Sequence, residues 1–370
     1  MNAFSRSFFL LAILLSALTG YSQEEPLTKT DTSDASLSIV KAGNIKCDSA
    51  VIRIKNKDEK AANKYYQEAI KDYKKAVKLN ATSFEAHYRL AIAQTKTKDY
   101  KNAVSNFDKA LTIDPTRGEA FRERGICQAA QGKMNEAMMD LDKAIDKNYE
   151  DVQAFYQRGL IKQTGKDSNP AIEDYSRAIE INPNMKDAYM KRGIIYYEKR
   201  KDFILALSDF NRVIEINPEE TEAYLWRGKT QYNGGAYKAA DTDLSRYIDM
   251  EPENTDALMT RGASRININN YSGAVRDFDD VIKLEPKNFI AFMNRGTAKG
   301  AMKNYTGALE DLDMAIKLKF DYSSAYTNRA LVKYVTGDKK GACKDLEKAD
   351  GLNNEKAYEL IQKYCKEGNR

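Results

Sequence analysis

Prolines close a series of helical runs at a nearly constant interval, and that interval restricts the fold more than any other feature of the chain. Pro115, Pro183, Pro218, Pro252 and Pro286 end runs such as AIEINP, VIEINP and VIKLEP, with spacings of 68, 35, 34 and 34 residues. The spacing of 68 is two periods, and the skipped stop is Tyr149 in AIDKNYED. A period of this length marks a supersecondary unit that cannot bury its apolar face alone and stacks on copies of itself.

With each proline at position 32, eight units run over residues 84–117, 118–151, 152–185, 186–220, 221–254, 255–288, 289–322 and 323–354; the unit from Lys186 has 35 residues. Alanine holds position 3 in all of them, from Ala86 to Ala325, and position 20 in all of them; position 4 is bulky, as in Phe121, Tyr189 and Phe292. Position 24 is always large and apolar: Phe107, Leu141, Tyr175, Phe210, Leu244, Phe278, Leu312 and Leu346. Small residues therefore stand where two helices must touch and large ones where they interlock.

These alanines, the position 24 residue and the closing proline resemble the tetratricopeptide repeat over residues 84 to about 354. The resemblance implies an all-α fold, a right-handed α-solenoid of helical hairpins. Upstream, residues 58–83 repeat the second-helix pattern (Ala69, Tyr73, Ala76) without a matching first helix and form a partial repeat. Downstream, residues 355–370 form a capping helix over the apolar edge that such a stack must hide. Residues 23–57 are a polar linker of unassigned structure: 23–37 are expected to be disordered, and 38–57 are a candidate strand pair.

Position 7, commonly leucine in the family, is leucine only at Leu90; the other seven units carry Arg124, Arg158, Arg192, Arg227, Arg261, Arg295 and Arg329. Position 23 varies in parallel, being Asn106 in the first full unit and Asp140, Asp174, Asp209, Asp243, Asp277, Asp311 and Asp345 in the others. Pairing with the preceding unit would set Arg124 against Asn106, and pairing with the following unit would strand Arg329. Pairing inside each unit strands none, so these are expected to be structural ion pairs made of charge-assisted hydrogen bonds. Asp72, upstream, has no matching arginine. Beside each arginine stands a glycine in six units; a helical glycine costs roughly 0.5 to 1 kcal/mol, so its repeated use implies close backbone approach.

The amino terminus, MNAFSRSFFLLAILLSALTGYSQEE, has Arg6, an apolar run from Phe8 and small residues near Ser22, the arrangement of a secretory signal peptide over residues 1–22. Its apolar core is shorter than the about 20 residues that span a bilayer. A mature chain exported to the periplasm or extracellular space, with no integral membrane segment, is expected. The net charge of +5 is spread among interleaved acids and bases, with no basic stripe, so nucleic acid is not an expected partner.

Sites for chemistry are scarce. His87 is the sole histidine and takes position 4, a core-lining place; no GxSxG, phosphate-cradling glycine loop or HExxH occurs. No cysteines have metal-finger spacing, so neither a metal nor a cofactor is expected. If the capping helix folds back, Cys365 nears Cys343, and an exported chain can keep that disulfide. Cys127 reads as a small core residue, and Cys47 has no assigned role.

In the tetratricopeptide family, first helices line a concave groove. Carrying over its groove-facing positions gives Tyr156, Leu160, Met190, Ile194, Tyr197, Leu225, Trp226, Tyr232, Met259, Ile266 and Met293, an apolar strip suited to a polypeptide segment. The lysine and asparagine with which some family members grip a C-terminal carboxylate are missing. The expected function is non-enzymatic: a protein-interaction scaffold or adaptor of the cell envelope or extracellular space. The alternative is a glycan-binding protein whose tyrosines and Trp226 stack on sugar rings.

Overall fold

The computed structural model describes residues 29–366, which are helical with no strand among them. The candidate signal peptide and residues 367–370 lie outside that range. The chain divides between Ile161 and Lys162 into two compact units.

The first unit contains α1 (Lys29–Lys55), α2 (Glu59–Leu79), α3 (Phe84–Lys96), α4 (Tyr100–Ile113), α5 (Gly118–Ala130) and α6 (Met134–Lys147), and most of α7 (Val152–Lys162). Each first helix packs on its own second helix, and each second helix on the next first helix. The alanines at positions 3 and 20 are sealed from solvent, as are Phe107 and Leu141 at position 24.

α1 corrects the expectation for residues 29–57: residues 29–55 are one helix, and 38–57 form no strand pair, while residues 23–28 lie outside the described range. Its inner face is Ser36, Val40, Gly43 and Ala50, buried at helical spacing. Half of that face is serine and glycine, so the period is present while the hydrophobicity that would advertise it is not. Ser36 Oγ donates to the Ala76 carbonyl at 3.0 Å, and Tyr73 Oη donates to Asn44 Oδ1 at 2.8 Å. A Cβ on Gly43 would stand 2.5 Å from the Tyr73 ring. The partial repeat is therefore a whole hairpin with an elongated first helix.

The second unit holds α8 (Asn169–Ile181), α9 (Lys186–Ile195), α10 (Phe203–Ile216), α11 (Thr221–Asn233), α12 (Tyr237–Met250), α13 (Thr255–Asn267), α14 (Tyr271–Leu284), α15 (Phe289–Ala301), α16 (Tyr305–Leu318), α17 (Ser323–Val335), α18 (Lys339–Asp350) and α19 (Glu355–Ile361). Successive first helices α11, α13, α15 and α17 also touch one another, so they share one face of this unit.

Turns and caps hold the period. Six hairpin turns place position 15 in the left-handed region, as Lys98, Gly132, Gly235, Asn269, Lys303 or Gly337. Side-chain caps then start the next helix, for example Asn254 Oδ1 accepting from Ala257 N and Asp338 Oδ1 from Gly341 N. The extra residue of the 35-residue unit is taken up by a π-helical turn, Tyr196–Arg200, after which Lys201 occupies the left-handed position. A second π turn, Gln362–Lys366, carries Cys365, whose Sγ is bonded to that of Cys343 on α18 with Cα atoms 5.8 Å apart.

Candidate functional site

Six of the repeat arginines reach the aspartate of their own unit: Arg124 to Asp140, Arg192 to Asp209, Arg227 to Asp243, Arg261 to Asp277, Arg295 to Asp311 and Arg329 to Asp345. In each, Nε and Nη2 both donate, one to each carboxylate oxygen, at 2.6 to 3.2 Å. This forked geometry is what a planar guanidinium supplies and an ammonium cannot. Arg158 and Asp174 share a repeat but lie on opposite sides of the boundary between the two compact units; in the first, Arg158 donates to Asp142 at 2.7 Å, and in the second, Asp174 accepts from Lys162 at 2.9 Å. The aspartates are buried, Asp277 at 1% exposure. Burial pushes the carboxyls of Asp209 and Asp277 above the usual carboxylate range, against the opposing pull of their arginines.

The remaining arm of each arginine makes a contact that the within-unit pairing leaves out. Nη1 donates backwards to the preceding unit: Arg124 to Asp108, Arg158 to Asp142, Arg192 to Ser176, Arg227 to Asn211, Arg261 to Ser245, Arg295 to Asp279 and Arg329 to Asp313. These acceptors all take position 25, or its equivalent after the extra residue, and all are Asp, Asn or Ser. The signal was readable in the sequence, because the residue that would face Leu90 is Lys74, which cannot accept.

Under six of the seven guanidinium groups lies the aromatic ring of position 4 (Phe121, Phe155, Tyr189, Tyr224, Phe292, Tyr326), at 5.3 to 5.6 Å. Arg124, Arg192, Arg227, Arg295 and Arg329 are bound on two sides and stacked on a third, an architectural role. They join helix to helix and unit to unit.

Position 11, one turn beyond the arginine, adds a second cation in some units: Arg265 to Asp277, Lys299 to Asp311, Lys333 to Asp345. Three units carry glutamine there; in two of them, Gln128 and Gln231, the buried Oε1 has no hydrogen-bond partner among the described residues. The first full unit has a leucine and an amide in place of the arginine–aspartate pair. Asn106 Nδ2 donates to Gln94 Oε1 at 2.9 Å, and the ring nitrogens of buried His87 lie 3.2 Å from Asn106 Oδ1 and 3.1 Å from the Ala81 carbonyl oxygen. Asp72 has a partner as well, Lys46 on α1.

The predicted groove residues are placed unevenly. In the first unit, Tyr156 and Leu160 are half-buried on α7. In the second, Met190, Ile194, Tyr197, Trp226, Tyr232, Met259 and Ile266 are half-buried on first helices. Leu225 and Met293 are not groove residues: at 7% and 9% exposure they are packed into the hydrophobic cores between hairpins and have no surface to offer.

Trp226 is enclosed by its neighbours. Phe210 stacks against it with centroids 6.4 Å apart, Tyr197 meets it edge-on at 5.5 Å, and Lys229 Nζ lies over its ring at 4.8 Å. Tyr197 in turn accepts from Asn233 Nδ2 at 2.8 Å. Phe210 and Lys229 take up part of the ring surface of half-buried Trp226, and the glycan reading gains no support. Among the described residues, no cluster of three His, Cys, Asp or Glu side chains is arranged to hold a metal ion, and no helix is long and apolar enough to cross a membrane.

Repeat models described as TPR repeat match residues 58–98, and models described as tetratricopeptide repeat match residues 84–117 and 152–185. Over residues 58–117 and 152–185 the sequence is that of tetratricopeptide repeats. The first of these matches spans α2 and α3, so the repeat pattern begins upstream of Phe84. Among solved structures, the chain is similar to MamA, with 25% identity over 45% of this chain and 96% of that one and a TM-score of 0.40. A tetratricopeptide repeat protein from Parabacteroides merdae is 18% identical over 67% and 98% of the two chains, with a TM-score of 0.45. PilF of Pseudomonas aeruginosa is 17% identical over 58% and 94%, with a TM-score of 0.49. No curated protein matches the chain. Tetratricopeptide repeats generally serve protein–protein interaction and are generally non-enzymatic.

Proposed function

We propose that this protein is a non-enzymatic scaffold or adaptor that holds a segment of a partner protein on the face shared by its first helices, and that it works outside the cytoplasm, in the cell envelope or extracellular space. The observation that carries the reading is the set of half-buried apolar side chains on first helices of the second unit, Met190 and Ile194 on α9 and Met259 and Ile266 on α13. Methionines and aliphatic side chains re-pack around an apolar segment at little cost, while the arginine ladder holds the helices beneath them. The location rests on the amino-terminal sequence: a short apolar run after Arg6, ending in small residues.

Site-specific photo-crosslinking in the native cell tests both parts. A crosslinker at Met190 or Met259 is expected to capture the same partner, and one at exposed Lys238 on α12 is expected not to. Equal capture from both faces would overturn the groove. Fractionation that finds the chain in the cytoplasm, with residues 1–22 still attached, would overturn the location.

A further inference from the structure

α1 carries a second surface, unrelated to the groove. Asp34, Leu37, Lys41, Ile45, Asp48, Ile52 and Lys55 are all exposed, with Leu37, Ile45 and Ile52 at 48%, 67% and 58%. At 100° per residue they fall within an arc of about 80°, on the side of the helix away from Ser36, Val40, Gly43 and Ala50. None of the four charged residues makes an ion pair among the described residues. A repeat stack normally ends in a polar face; this one shows three large aliphatic side chains.

The order of the stripe says what covers it. Read from either end, acid, aliphatic and base alternate so that reversing the direction exchanges the charges. Laid antiparallel on a copy of itself, Asp34 meets Lys55, Leu37 meets Ile52, Lys41 meets Asp48, and Ile45 lies at the two-fold axis. A parallel arrangement would set Lys41 against Lys41 and Asp48 against Asp48. A foreign helix would require no such inversion of the sequence.

We propose that two copies of this chain associate through α1, antiparallel and two-fold symmetric, with the Lys41 and Asp48 pairs fixing the direction. Such an isologous contact closes on itself and stops at the dimer. One helix face is small beside the about 800 Å² per partner of standard interfaces, so the dimer is a weak and reversible one.

Sedimentation of the purified protein from about 1 to about 100 µM, which reads dissociation constants in the micromolar decades, tests this. The wild type is expected to pass reversibly from monomer to dimer. Lys41→Glu and Asp48→Lys each place like charges together twice and are expected to weaken association by about tenfold or more. An equimolar mixture of the two single variants restores both pairs and is expected to form a heterodimer, as the double variant is expected to form a homodimer. Ile45→Glu, at an exposed site, is expected to abolish association with helicity unchanged. A monomer across the whole range, a dimer indifferent to all three substitutions, or single variants that fail to rescue each other would overturn the proposal. A monomer whose α1 stripe is shielded by residues 1–28 is among those overturning results.

Discussion

At the scale of the residue, one side chain does three jobs. Arg295 ties α15 to α16 through Asp311, reaches back to Asp279 on α14, and rests on the Phe292 ring. Removing only the acid leaves Arg295 and Lys299 partly buried without their shared partner. Asp311→Ala is therefore expected to cost about 3 kcal/mol. Arg295→Met combined with it should be less damaging than the sum of the two, with a coupling of about 1 to 3 kcal/mol in urea melts. Additive losses would show that the pair is not a unit.

The orphan at position 11 offers the opposite experiment. Gln231 precedes Asp243 by the same interval as Lys299 precedes Asp311, so Gln231→Lys is expected to stabilise by about 1 kcal/mol, read as a raised urea midpoint. Cys127 tests burial through pH. Its thiol is sealed from solvent and its pKa is pushed by burial from 9.0 to about 11. Between these values the unfolded chain has lost a proton that the native chain keeps, so stability falls as pH rises, by up to about 1.4 kcal/mol per pH unit. Cys127→Ala should remove that part of the slope, and the full contribution should be present below pH 9.

At the scale of the element, close approach decides which glycines matter. A Cβ on Gly262 would stand 2.7 Å from the Phe278 ring, whereas one on Gly300 would find Val332 at an ordinary 3.4 Å. Alanine at Gly262 overpacks the hairpin and is expected to cost about 1 to 2 kcal/mol even after its helical advantage. The same change at Gly300 should gain about 0.5 to 1 kcal/mol. The π turn of α9 supplies a second comparison. Deleting Glu198 is expected to return Tyr196–Arg200 to a regular α turn, with the Arg192–Asp209 pair intact and the melting temperature within a few degrees. A deletion at the matching point of α11 has no spare residue to remove and should rotate Arg227 away from Asp243.

At the scale of the whole molecule, each unit is stabilised by neighbour contacts, so damage should stay local. The Cys343–Cys365 bond closes a loop at the end of the second unit and ties the last π turn to α18. Its reduction, or Cys365→Ser, is expected to cost roughly 3 kcal/mol on the chain-entropy account. Hydrogen exchange should rise in α17, α18 and α19 and be unchanged in α3 through α6. Faster exchange throughout would mean that the end bond governs both units.

The repeat period, the hairpins and the arginine–aspartate covariation were legible in the sequence because a stacked array writes each packing requirement eight times over. The backward bonds to position 25 were written as often, but a Ser, an Asn and an Asp look like surface residues until a donor is placed opposite them. Leu225 and Met293 were misassigned because position in a repeat does not reveal which flank of a first helix its neighbour covers. α1 was missed for a related reason: its contact face uses Ser36 and Gly43, so no hydrophobic period announces it. Sequence alone determined which units recur and which residue types must meet inside them, since those are local distances along a helix. Only tertiary structure decided what each unit does to the next and which apolar side chains remain at the surface, because burial depends on contacts between segments that no local spacing encodes.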